Sequence, residues 1–262
     1  IVIEPNEKTG KKKKTQIWPR YHQLDVVRAL LAEVQSKGTG RRYLIQHSAG
    51  SGKSNSIAWL AHQLISLRKN EADMFDSIIV VTDRRILDRQ IRDTIKQYAQ
   101  VGAIIGHAER SGDLKKFIET GKKLIISTVQ KFPFILDEIG NEQRTKHFAI
   151  IIDEAHSSQG GRTSAAMAQA LGEAGETAEE ETYEDQINRI MASKKMLNNA
   201  SYFAFTATPK NKTLEIFGEP LPPKEGKIAH KAFHNYTMKQ AIQEGFILDV
   251  LKHYTPVASY YK

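Results

Sequence analysis

Residues 46–54 have the types and spacing of a phosphate-binding loop. They read Gln-His-Ser-Ala-Gly-Ser-Gly-Lys-Ser. Gly50 and Gly52 allow the backbone to turn so that its N–H groups point inward at an anion. Lys53 supplies a positive charge for the β- and γ-phosphates of a nucleotide, and Ser54 supplies a hydroxyl for Mg²⁺. The stretch therefore predicts a site for a nucleotide and Mg²⁺.

Apolar runs on both sides indicate how this loop is held. Residues 43–45 precede it and residues 57–60 follow it, so the pattern is strand, tight loop and helix. The N-terminus of the helix adds a partial positive charge. The full pattern begins with Gly or Ala where this chain has His47, and a Gly/Ser-rich turn with a chance lysine is the alternative. We expect Lys53 to be exposed in an empty loop. The residues predicted to contact the nucleotide are Ser48, Ala49, Gly50, Ser51, Gly52, Lys53 and Ser54.

Two adjacent carboxylates form the second chemical signal. Asp153 and Glu154 follow the apolar run 148–152, and Ala155-His156 comes next. A buried strand would deliver both carboxylates at its C-terminal end, where open α/β sheets bind ligands. Asp153 would hold Mg²⁺ directly or through water, and Glu154 would polarise the attacking water. A surface turn is the alternative, but it explains the apolar run poorly.

Two threonines end another apolar run. Residues 201–205 lead into Thr206-Ala207-Thr208-Pro209. Small hydroxyl residues at a strand end beside the carboxylate strand can hydrogen-bond Glu154 or His156. We interpret Thr206, Thr208 and His156 as residues that couple the nucleotide site to other parts of the protein. An ordinary Thr/Pro exit from a strand is the alternative.

The predicted helices and strands that hold these residues alternate along the chain. Apolar residues at the helical period predict a helix over 24–35. The β-branched run 77–82 predicts a buried parallel strand, and the stretch from Lys123 predicts another strand that leads through a polar turn into a helix. A chain of 262 residues with 40% hydrophobic content has room for one large domain or two small ones.

Charge and composition narrow the class of protein. The net charge of +8 favours a polyanionic partner, although solubility explains it equally well. The absence of Cys excludes disulfides and thiolate metal sites. No apolar run approaches the roughly 20 residues that a membrane span needs, so we expect no membrane partner. The acidic stretch 173–185 reads as a solvated insertion.

The order of these motifs resembles that of superfamily 2 helicases and translocases. Gln23 comes first, and the phosphate loop, Asp-Glu-Ala-His and Thr-Ala-Thr-Pro follow. The resemblance implies an α/β, RecA-like P-loop NTPase fold, with a mostly parallel sheet and helices on both faces. It implies ATP and Mg²⁺ as cofactors, with Gln23 reading adenine. It also implies that nucleic-acid backbone is contacted by Arg84, Arg85, Thr128 and Gln130.

Within that superfamily the chain looks most like the motor of the type I restriction enzyme R subunit. This resemblance rests on Tyr21-His22-Gln23, on His47 in the loop, and on the stretches 81–90, 153–159 and 236–250. The resemblance implies ATP-driven translocation on double-stranded DNA in a bacterial or archaeal cytoplasm. It also implies methyltransferase and specificity subunits as partners.

The same resemblance implies a division of the chain. Residues 1–16 would be a linker from a preceding nuclease domain, and residues 17–246 a first RecA-like domain. Residues 247–262 would form an exit strand or linker toward a second RecA-like domain. Two alternatives stay open: an RNA helicase or chromatin-type remodeller of the same superfamily, and a nucleotide-binding module that regulates a partner without turnover.

Overall fold

A sheet of seven strands forms the centre of the protein in the computed structural model. The structure describes residues 2–5, 12–82, 105–108, 111–141, 143–153, 183–193, 197–223, 226 and 228–249. Four predicted site residues lie outside these ranges: Arg84, Arg85, Glu154 and His156.

Strands and helices alternate along the described residues. The strands are β1 Val2–Pro5, β2 Lys12–Thr15, β3 Arg42–His47, β4 Arg68–Lys69, β5 Ala72–Asp73, β6 Ser77–Thr82, β7 Ile105–His107, β8 Leu124–Thr128, β9 Phe148–Asp153, β10 Ala200–Thr206, β11 Glu219–Pro220, β12 His230–Lys231 and β13 His234–Tyr236. The helices are α1 Tyr21–Lys37, α2 Lys53–Ile65, α3 Ser111–Glu119, α4 Phe132–Asn141, α5 Tyr183–Ser193, α6 Asn211–Phe217 and α7 Met238–Gln243. A short 3-10 turn, Val129–Lys131, joins β8 to α4.

The central sheet has the strand order β13-β3-β10-β9-β6-β8-β7, and every neighbouring pair is parallel. Every residue of β6 and of β9 is buried. Parallel sheets that helices cover on both faces need such continuous apolar strands. The predicted α/β fold with a mostly parallel sheet is therefore confirmed.

Two hydrophobic clusters pack against the opposite faces of the sheet. Leu30 of α1 and Leu60 of α2 share one cluster with Ile151 of β9. Ile139 of α4 lies in the other cluster with Ile150, the neighbour of Ile151 on the same strand. Successive side chains of a strand point to opposite faces, so one strand supplies both cores. Helices on both faces, as predicted, thus follow from the apolar run of β9.

Short structural features occur near both ends of the described residues. The predicted linker 1–16 contains an antiparallel hairpin in which β1 pairs with β2. Residues 247–249, at the start of the predicted exit strand or linker, are not in a strand. The N–H groups of Phe246 and Ile247 instead donate to the carbonyl of Ala241, which ties them to the end of α7. Residues 250–262 lie outside the described ranges. Within those ranges no helix is long and apolar enough to cross a membrane.

Candidate nucleotide-binding site

The carboxyl ends of β3, β10, β9, β6 and β8 lie along one edge of the sheet, because all five strands are parallel. Asp153 ends β9 and is 3% exposed. Its register partner on β6 is Thr82, which in turn lies opposite Thr128 on β8. Thr206 ends β10 on the other side of β9. The sheet thus brings Asp153, Thr128 and Thr206 to the edge where open α/β folds bind ligands.

The other predicted residues near this edge differ in exposure. Thr206 is buried, whereas Thr208 lies beyond the strand and is exposed. Gln130 is exposed on the 3-10 turn that follows Thr128. Exposure leaves the Gln130 amide open to a ligand, as its predicted contact with nucleic-acid backbone requires.

Two glycines shape the phosphate loop between β3 and α2. Gly50 and Gly52 have φ angles of 75° and 80°, in the left-handed region that L side chains rarely adopt. A Cβ atom at Gly52 would lie 2.5 Å from Nε2 of Gln23. The loop is closed by a hydrogen bond from Ser51 N–H to the carbonyl of Ser48 (3.3 Å). Both glycines are therefore required by backbone geometry, and Gly52 also by the close approach of α1.

Lys53 begins α2 and folds back over the loop. Its Nζ donates to the carbonyls of His47 and Ser48, both at 3.2 Å. Burial lowers the pKa of Lys53, and the negative charge of Asp153 acts in the opposite direction. The expectation of an exposed lysine is wrong: Lys53 is half-buried, because the loop carbonyls supply acceptors for its ammonium group.

Gln23 lies in the first turn of α1 and is 3% exposed. Its Nε2 donates to the carbonyls of Ser51 (3.2 Å) and Gly52 (3.0 Å). Its Oε1 accepts from the backbone N–H of Arg20 (2.9 Å). An amide nitrogen has two donor hydrogens, and both are directed at the loop here. To pair with adenine as the sequence predicts, Gln23 would exchange one loop carbonyl for the base.

The sequence assigned no role to a group of aromatic side chains around the loop. His22 and His47 are buried, and both lie close to the buried Tyr236 of β13. The signal was present in the triplet Tyr21-His22-Gln23 and in His47, which stands where Gly or Ala was expected. The hydrogen-bond partner of His47 is His234, which lies 187 positions later in the chain. No local sequence pattern can connect residues at that separation.

The residues around Lys53 fit a Mg²⁺ ion that is shared with phosphate. Mg²⁺ is usually held by one or two carboxylates together with substrate phosphates and water. Asp153 supplies a buried carboxylate, and the half-buried Ser54 supplies a hydroxyl from the first turn of α2. No cluster of three or more His, Asp or Glu side chains occurs in the described ranges that could hold a metal by itself. The donor set thus suits a metal that arrives with a nucleotide.

Three features are typical of the RecA-like class of P-loop folds. They are a parallel sheet with helices on both faces, a glycine-containing loop with its lysine, and a carboxylate at the same edge of the sheet. Residues 22–259 match the family model described as SWI2/SNF2 ATPase. The chain belongs to this family.

Curated relatives of the chain are endonuclease subunits of type I restriction enzymes. The SsaAORF53P subunit of Staphylococcus saprophyticus is 26% identical over 241 residues, which cover 87% of this chain and 21% of the relative. The EcoKI subunit of Escherichia coli K12 is 25% identical over 236 residues, covering 88% of this chain and 17% of the relative. The chain therefore spans about a fifth of the length of these relatives, and the resemblance found in its sequence is confirmed.

A solved structure supports the fold. A nuclease-deletion mutant of the Type ISP restriction-modification enzyme LlaGI, in complex with a DNA substrate mimic, superposes with a TM-score of 0.51 at 17% identity. The match covers 91% of this chain and 22% of that chain.

Proposed function

We propose that this chain is the ATP-hydrolysing motor portion of a type I restriction enzyme R subunit and that it drives movement along double-stranded DNA. The observation that supports this most is the meeting of Lys53 and Asp153 at the carboxyl edge of one parallel sheet, close enough for the Asp153 charge to act on the Lys53 pKa. Similarity to type I endonuclease subunits supports this choice within the family.

The chemistry follows from the charges at this edge. The loop N–H groups, Lys53 and a Mg²⁺ ion on Ser54 and Asp153 would neutralise the phosphates. Glu154, which follows Asp153 directly, would orient water in line with the γ-phosphate. Lys53 would leave the loop carbonyls of His47 and Ser48 for phosphate oxygens, which are stronger acceptors because they are charged.

The division of the chain remains part of this proposal. Residues 17–246 would form the first RecA-like domain, and residues 247–262 would lead to a second one. The small fraction of each relative that the chain covers is consistent with further domains. Residues 1–16 would connect to a nuclease domain. Methyltransferase and specificity subunits would be the protein partners.

Contacts with DNA would come from the carboxyl edge of the sheet. We assign them to Thr128, Gln130, Arg84 and Arg85, and coupling to nucleotide to His156, Thr206 and Thr208. Hydroxyl, amide and guanidinium donors hold phosphate oxygens without reading base sequence, which suits a translocating protein.

Calorimetry with MgATP tests the nucleotide site. The wild-type chain is expected to bind, and Lys53→Ala is expected to lose binding while its melting temperature stays within a few degrees of the wild type. The matched control is Lys69→Ala, which removes an exposed lysine of β4 and should bind like the wild type. Equal affinity in Lys53→Ala and Lys69→Ala would contradict the phosphate-loop assignment.

Steady-state ATP hydrolysis, measured in the presence of different nucleic acids, tests which nucleic acid the protein acts on. In the full-length protein we expect double-stranded DNA to stimulate ATP hydrolysis more than single-stranded DNA or RNA does. Glu154→Gln should abolish turnover and retain nucleotide binding. Stimulation by RNA alone would favour the RNA helicase alternative, and full function of Glu154→Gln would favour a regulatory module.

A further inference from the structure

A buried pair of imidazoles joins the phosphate loop to the last described strand. His47 ends β3 immediately before the loop and is fully buried. Its Nε2 lies 2.8 Å from Nδ1 of His234, the first residue of β13. Nε2 of His234 lies 3.0 Å from Oδ2 of Asp25 on α1. A chain of hydrogen bonds thus connects the consecutive elements α1 and β3 with β13, whose His234 lies 187 positions after His47.

The direction of these hydrogen bonds follows from the acceptor at the outer end. A carboxylate only accepts, so Nε2 of His234 donates to Asp25. In the tautomer of His234 that carries its hydrogen on Nε2, Nδ1 accepts from Nε2–H of His47. Burial lowers the pKa of His47 to about 3, which keeps this ring neutral. Asp25, whose side chain is 70% exposed, thereby sets the tautomer of a ring inside the protein.

His22 provides a second connection. Its ring stacks on Tyr236 with centroids 3.7 Å apart and an interplanar angle of 8°. Its Nε2 donates to the carbonyl of Ser51 in the loop (3.0 Å). The carbonyl of Tyr236 in turn accepts from the N–H of Ser48 (2.9 Å). The loop is therefore held near both of its ends by residues that contact β13.

The residues after β13 share in these contacts. Glu244 accepts from the hydroxyls of Tyr21 (2.8 Å) and Tyr236 (2.7 Å), which joins the end of α7 to α1. A Cβ atom at Gly50 would lie 3.4 Å from Cγ1 of Ile247, so this residue borders the tip of the loop. A change in loop conformation would therefore alter the contacts of residues 234–249, which we call the β13–α7 segment.

We propose that His22, His47, His234 and Tyr236, the histidine clamp, are positioning residues that couple the phosphate loop to the β13–α7 segment. The proposal rests on nucleotide binding at this loop. A nucleotide that orders the loop stabilises the segment through the clamp, and by reciprocity an ordered segment raises the affinity of the loop for nucleotide.

Hydrogen exchange of the segment amides with MgADP as the probe tests the coupling. In the wild-type chain, saturating MgADP is expected to slow exchange in residues 238–247 by roughly fivefold or more, the lower end of ordinary coupling energies. His234→Phe keeps an aromatic ring at this position but removes both hydrogen bonds. It should still bind MgADP, more weakly, and lose the slowing. Equal slowing in His234→Phe, or none in the wild type, would overturn the proposal.

A milder variant guards against misfolding of His234→Phe. Asp25→Ala removes the outer anchor at an exposed side chain and leaves the core intact. It should reduce the slowing relative to Glu33→Gln, a control that removes a charge from the same helix at its ion pair with Lys37. Identical slowing in Asp25→Ala and Glu33→Gln would contradict a role for the His47–His234–Asp25 chain.

Two further measurements complete the test. One distinguishes the hydrogen-bond chain from simple packing, and the other distinguishes a loss of coupling from a loss of nucleotide binding. Nitrogen-15 NMR should show His47 as the neutral Nε2–H tautomer in the wild type, with its signal shifted in Asp25→Ala; an Nδ1–H tautomer would overturn the hydrogen-bond chain. Calorimetry on the same samples reports MgADP binding itself. Failure of the wild type to bind would remove the proposed function and this inference with it. Binding without any change in the segment would remove the inference alone.

Discussion

At the scale of single residues, the loop is surrounded by side chains whose charge states burial controls. Lys53 and His47 both have a lowered pKa, and desolvation is the largest cause for each. The two groups differ in their neighbours: the carboxylate of Asp153 raises the pKa of Lys53 against the effect of burial, whereas His234, His22 and Lys53 lower the pKa of His47 further. Asp153 thus favours the charged form of Lys53 where phosphate is expected to bind, whereas burial favours the neutral ring of His47.

The buried His47 should make stability depend on pH. Its pKa is about 3 in the folded protein against an ordinary value of 6.5. The unfolded chain therefore takes up the proton first on acidification, so the contribution is fully present above pH 6.5 and is lost as the pH falls toward 3. Between pH 7 and pH 5 this one group should lower the free energy of unfolding by about 2 kcal/mol.

Urea denaturation at pH 7 and pH 5 measures this effect. His47→Gln removes the titrating group, and its free energy of unfolding should fall less between the two pH values than that of the wild type. The pKa of His22 is also lowered by burial, so part of the dependence should remain in the variant. An unchanged difference in His47→Gln would show that His47 titrates normally in the fold.

At the scale of elements, the first turn of α1 and the phosphate loop approach each other too closely for a side chain at Gly52. The loop carbonyls of Ser51 and Gly52 both accept from Gln23, which draws the two elements together. The helix α1 is thereby part of the loop's support as well as part of the hydrophobic core. Displacing Gln23 should therefore disturb the loop.

Gly52→Ala should be more damaging than an alanine at another glycine with positive φ. The added Cβ would lie 2.5 Å from Nε2 of Gln23, so the amide must move in addition to the backbone strain. Gly121→Ala is the matched control, because Gly121 has φ of 69° and open space around its Cβ position. We expect Gly52→Ala to cost about 1–2 kcal/mol more than Gly121→Ala in urea denaturation, since a hydrogen bond is lost as well. Equal losses of unfolding free energy in the two variants would mean that the Gln23 side chain moves aside without a measurable cost.

At the scale of the whole molecule, the site is built on one edge of one sheet. The described residues supply the loop, Lys53, Ser54 and Asp153 from this edge. Motors that transfer phosphoryl groups gain roughly 10³–10⁵ in rate from an arginine that a second domain or partner inserts. Under the proposed function, such an arginine would come from the second RecA-like domain.

Hydrolysis should accordingly depend on that second domain. The 262-residue chain is expected to turn over ATP slowly even with duplex DNA, and the full-length protein to turn it over far faster. DNA binding by the chain should weaken steeply with salt, because it would rest on phosphate contacts. Steady-state ATPase assays of the two proteins at equal concentration provide the comparison. Equal DNA-stimulated rates would contradict a site divided between two domains.

Five strands of the central sheet, β3, β6, β8, β9 and β10, and the loop between β3 and α2 could be predicted from the sequence alone. The runs that became β6 and β9 were recognisable because a strand buried on both faces must be apolar throughout. The loop between β3 and α2 was recognisable because glycines and a lysine at this spacing have few other uses. The position of Asp153 could be predicted because it directly follows the apolar run of β9. All these signals are local, so each is contained in one short stretch of chain.

The surroundings of that loop depend on how distant parts of the chain pack together. His47 and His234 are 187 positions apart, and Tyr21 and Glu244 are 223 positions apart. No periodicity connects residues so distant, since their contact depends on β13 joining the sheet beside β3. The hydrogen bonds of Lys53 and Gln23 to loop carbonyls were equally hidden, because backbone acceptors carry no sequence signal. Residue types reveal what chemistry a site can perform, whereas the partners that restrain those residues are set by how the elements pack.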